Sequence, residues 1–119
     1  MAKRKKIRNL VKYWQEKFLL NRWRIRVRFN DDEAWDRSAE VAMTPGLEEA
    51  DIRVSELEKN LSELVVHEMC HLAMEPLETV SSQWLTRLSQ EDQRLYQLQY
   101  QQAEHRVIDH FTQVIKMKN

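Results

Sequence analysis

Hydrophobic positions change period along the first third of the chain. Ile7, Leu10, Val11, Trp14, Phe18 and Leu19 recur at three- and four-residue spacing with basic residues opposite, which predicts an amphipathic helix from about Lys5 to Leu20. The period then drops to two. Trp23, Ile25, Val27 and Phe29 alternate with Arg22, Arg24, Arg26 and Arg28, the pattern of a strand with one wet face. After an acidic turn around Asn30 to Glu33, Ala39, Val41 and Met43 alternate with Glu40, Ala42 and Thr44, predicting a second strand closed by the turn Pro45-Gly46. A third, short strand follows at Asp51 to Val54.

Helical spacing returns with Leu61, Leu64, Val65, Leu72 and Ala73, so the stretch Asn60 to Glu75 reads as a helix that Asn60 caps and Pro76 stops. Pro76 to Ser89 has mixed character and reads as a loop with a short helical turn. From about Glu91, Leu95, Tyr96, Tyr100, Val107, Ile108, Phe111, Val114 and Ile115 trace the stripe of a long last helix. The order of elements predicts an α+β fold: an N-terminal helix, a short and mostly antiparallel three-stranded sheet, a middle helix and a long C-terminal helix.

A chain of 119 residues is expected to form one domain, 1–119, with residues 1–6 as a basic, flexible tail. A single cysteine allows no internal disulfide, no apolar run is long enough for a membrane span, and no secretory signal is legible, so the expected setting is cytoplasmic with no membrane contact. Gly46 is the only glycine, which excludes the glycine-rich loops that cradle nucleotide phosphates. Zero net charge hides an asymmetry. Residues 1–28 carry eleven Lys or Arg against Glu16 alone, or +10, and residues 29–119 carry −10. The basic part points to an anionic partner such as nucleic acid, with Arg22, Arg24, Arg26 and Arg28 as candidate phosphate contacts; the plainer reading of that row is the wet face of a sheet.

Within the middle helix stands His67-Glu68-Met69-Cys70-His71. Residues i and i+4 of a helix share a face one turn apart, so both imidazoles can reach one metal ion with Glu68 beside it, the zinc-protease pattern H-E-x-x-H. With four His and thirteen Glu in the chain, the bare pattern arises by chance about once in seventy such sequences, so its helical, apolar setting is what gives it weight. Catalytic zinc takes three protein ligands and leaves one position open. Glu75 lies about 12 Å farther along the same helix axis and cannot share an ion with His67. Cys70 reads first as a small buried hydrophobe.

The last helix offers Glu104, His105, Asp109 and His110. Glu104 falls among Tyr100, Val107, Ile108 and Phe111 on the apolar face, where a carboxylate needs a partner. Glu104 is therefore the candidate third ligand, with His105 or His110 in reserve.

These residues and their order resemble the zincin metallopeptidases, in particular gluzincins and minimal SprT-like or phage-encoded zincins. The resemblance spans roughly residues 22 to 115, although only the five-residue motif is specific and the third histidine of metzincins has no counterpart. It implies a zinc-dependent peptidase in which His67, His71 and Glu104 hold Zn2+ and Glu68 is the general base toward a water that attacks a peptide carbonyl. It also implies a protein or peptide substrate lying extended along an exposed sheet edge, for which Asp51, Ile52, Arg53 and Val54 are the candidates. Tyr100 and His105 are candidate stabilisers of the oxyanion. Two other classes of function stay open: a nucleic-acid-binding module with structural metal or none, and an inactive zincin that binds a regulatory partner.

Overall fold

The computed structural model describes residues 2–32, 34–35 and 37–118. They form two compact units, Met1–Ala73 and Met74–Asn119.

The first unit opens with helix α1, Ala2–Lys17. It begins earlier than its apolar stripe, because Lys3 donates to the Glu56 carbonyl oxygen at 2.6 Å and Arg4 pairs with the Glu56 carboxylate. Residues 3–6 are thus helical, with Lys3 and Arg4 held against Glu56. The helix stops in a Schellman turn: the Leu19 and Leu20 amides donate to the carbonyls of Glu16 and Gln15 at 3.1 and 2.8 Å, with Leu19 left-handed at φ 58°. That geometry turns Leu19 outward, and it is 85% exposed although its spacing fits the buried stripe. The Gln15 side-chain amide bridges the carbonyls of Leu20 and Trp23, which guides the chain into the sheet.

Strands β1 (Arg24–Asn30), β2 (Ala39–Thr44) and β3 (Glu49–Ser55) form a mixed sheet in the order β1-β3-β2. A one-turn 3-10 helix, Pro45–Leu47, and a left-handed Glu48 join β2 to β3 as an antiparallel pair, as the turn signal predicts. The β1 pairing differs from the mostly antiparallel expectation. The loop after Asn30, braced by Asx turns from Asn30 and Asp32, carries the chain past one sheet position, so β3 fills the gap parallel to β1. Burial explains why β3 takes the centre: Ala50, Ile52 and Val54 alternate inward at 4%, 0% and 0% exposure, the driest face of any strand.

Helix α2, Leu61–Ala73, packs on β2 and β3, and α1 packs on α2 and β1, so both helices cover one face of the sheet. Ile7, Val11, Ile52, Val54, Val65, Met69 and Leu72 form the centre of this core.

The second unit is a helical hairpin. Helix α3, Glu75–Leu85, occupies the segment predicted as a loop, because Pro76 sits in its first turn, where no N–H is needed, and Thr79 donates to the Glu75 carboxylate at 2.7 Å. Helix α4, Gln90–Lys118, begins under Ser89, whose hydroxyl accepts from the Asp92 amide at 3.2 Å. The Ser81 hydroxyl donates to that of Tyr96 at 2.9 Å and links the two helices. Among the described residues, no helix is long and apolar enough to cross a membrane.

Candidate functional site

Helix α2 presents the motif as its spacing predicts. His67 and His71 stand one turn apart, both half-buried, with ring centroids 4.9 Å apart and planes near perpendicular. Glu68 follows Val65 by three residues and precedes Leu72 by four, so the same face that builds the core carries its carboxyl inward, leaving it 7% exposed. Burial raises its pKa to about 7, the neighbouring Glu40 adds to the rise, and Arg37 opposes it. Glu40, on β2, is itself held by Arg37 and Arg53, each at 3.7 Å, and Arg53 lies over the Trp35 ring at 4.6 Å. A carboxyl that changes protonation near neutrality is what a general base needs.

Cys70 is buried, and burial pushes its thiol up to about 11, in keeping with the small-hydrophobe reading.

In the second unit, Glu104 is 6% exposed and, with Ile108, forms the buried part of α4, while Val107 and Phe111, which the spacing places on the same apolar face, are 42% and 54% exposed. His105 and His110 are exposed. The Tyr100 phenol, one turn before Glu104, is pushed up to about 12 by burial, then by the carboxylates of Glu104 and Glu78. Tyr100 therefore keeps its proton and its capacity to donate. Glu78, on α3, is the residue that sequence reasoning misses. Its signal was hidden because Pro76 made the segment look like a loop, so no face could be assigned to it.

One expectation changes. Asp51, Ile52, Arg53 and Val54 cannot receive a strand, because β3 is central and its backbone is paired on both sides. The open edges belong to β1 and β2, and of these β2 is the one on which α2 packs. The arginine row is indeed exposed, yet it is already matched: Arg22 faces Glu48 at 3.6 Å, Arg24 faces Glu49 at 3.8 Å, and Arg26 and Arg28 share Asp51 at 3.8 and 3.5 Å. The parallel register sets Arg24 against Glu49 and Arg26 against Asp51, so each arginine of this wet face has a carboxylate beside it, four cations to three anions.

Compared with known proteins, the chain matches no family model, no curated protein and no solved structure.

Proposed function

We propose that this protein is a zinc-dependent peptidase. The observation that carries the reading is on α2: two half-buried imidazoles one turn apart, and between them in sequence a buried carboxyl poised near pH 7. This donor set fits catalytic zinc, which takes three imidazole or carboxylate ligands and keeps a fourth position open. The zincin resemblance assigns His67, His71 and Glu104 as the three protein ligands.

Bound zinc contributes Lewis acidity toward a peptide carbonyl and a water molecule. Glu68, buried beside the two imidazoles, would take the proton from that water and pass it to the leaving nitrogen. The substrate chain lies along the open edge of β2, Ala39–Thr44, whose outward backbone groups hold it extended. Tyr100, protonated at neutral pH, is the donor assigned to the developing oxyanion, in preference to the exposed His105.

Metal content by plasma mass spectrometry tests the reading, with hydrolysis of an unstructured protein such as casein measured beside it. The native chain is expected to hold about one zinc. His71→Ala and Glu104→Gln lose both metal and hydrolysis, and Glu68→Gln loses hydrolysis alone. Native protein that stays free of zinc after reconstitution overturns the proposal.

A further inference from the structure

Each arginine of the row has a carboxylate partner within the fold, whereas three lysines on the exposed face of α1 have none among the described residues. Lys5, Lys6 and Lys12 are exposed, and among the described residues none of them makes an ion pair. Helical geometry arranges them as two edges. Lys5 and Lys12, seven residues apart, lie along one edge over about 10 Å, and Lys6 and Lys17 lie along the other over about 16 Å. Asn9 sits between the edges, and Glu16 is the one carboxylate on this face, near its C-terminal end. Arg8 extends the first edge while its guanidinium rests on the Phe29 ring at 5.2 Å, and Lys17 rests on Tyr13 at 5.5 Å.

We infer that this face of α1 docks on double-stranded DNA, with the lysine edges on phosphates of the two strands and Asn9 toward the groove floor. A helix about 10–12 Å across fits a major groove about 12 Å wide. Two edges with cations spaced over about two and three helical turns match lines of phosphates better than a single carboxylate. A membrane surface is disfavoured on separate grounds. The apolar stripe of α1 is committed to the core, with Ile7 and Val11 at 1% and 3% exposure, so the helix has nothing to insert among lipids. The inference stands apart from the peptidase reading, since none of these lysines belongs to the proposed zinc site.

Fluorescence anisotropy of a labelled 20-base-pair duplex with the full chain, titrated at 50 to 200 mM salt, provides the test. Each phosphate contact adds about 0.9 to the slope of log affinity against log salt, so Lys5→Gln/Lys6→Gln/Lys12→Gln lowers the slope by about 2.7. Over that salt range the native protein then loses about 40-fold more affinity than the triple variant. Arg24→Gln/Arg26→Gln retains the native slope. Circular dichroism checks that both variants keep their helices. Absence of duplex binding at 50 mM salt, an equal loss of slope in the arginine variant, or stronger binding to phosphatidylserine vesicles than to duplex overturns the inference.

Discussion

Glu68→Gln should stabilise the metal-free protein, and the gain should appear only as the pH rises. The Glu68 carboxyl has an ordinary pKa of 4.5 and one of about 7 in the folded protein. At about 1.4 kcal/mol per pKa unit, burying the ionised form costs roughly 3 kcal/mol. The sign follows from proton counting. Between 4.5 and 7 the folded state holds a proton that the unfolded state has released, so stability falls with rising pH through this window. Below 4.5 both states are protonated and the cost vanishes; above 7 it is present in full. Glutamine keeps the shape without the charge. Urea unfolding of both proteins in EDTA at pH 5, 6, 7 and 8 should therefore show the variant's advantage growing by about 3 kcal/mol toward pH 8. Under the zinc reading, saturating zinc shrinks that advantage, because a cation beside Glu68 favours its ionised form. A stability difference that stays constant from pH 5 to pH 8 would refute the account of Glu68 as a buried, proton-holding carboxyl.

Two further outcomes test the fold that presents it. Ile52, at 0% exposure in the central strand, should cost about 2–5 kcal/mol when replaced by alanine, read as a lower urea midpoint with little change in slope. A loss under 1 kcal/mol would mean that the sheet core lies elsewhere. Leu19 is left-handed and 85% exposed, so Leu19→Gly removes backbone strain without losing packing and should stabilise by up to about 1 kcal/mol. Leu19→Val should destabilise by a similar amount, since a β-branched residue resists that conformation more; the reverse order would rule out the Schellman stop.

Local pattern was enough wherever one short-range rule controls the outcome. The 3.6 period set α1, α2 and α4, the two-residue period set β1 and β2, and the spacing of Glu104 to Ile108 gave its buried side, though Val107 and Phe111 of the same stripe are exposed. The pairing of His67 with His71 and the inward turn of Glu68 follow from helix geometry alone. Helix α3 was hidden because a proline reads the same whether it ends one helix or opens the next. Tertiary structure decided the rest, because each remaining feature depends on residues far apart in the chain. Strand order is one such case: period two shows which side chains face inward but not which strands are neighbours, so the centre fell to β3 only when its dry face was enclosed on both sides. The fate of the charges is another. Four arginines and three lysines look alike in sequence, and only the register of β1 on β3 supplied the arginines with carboxylates while the lysines of α1 stayed exposed without an ion pair among the described residues.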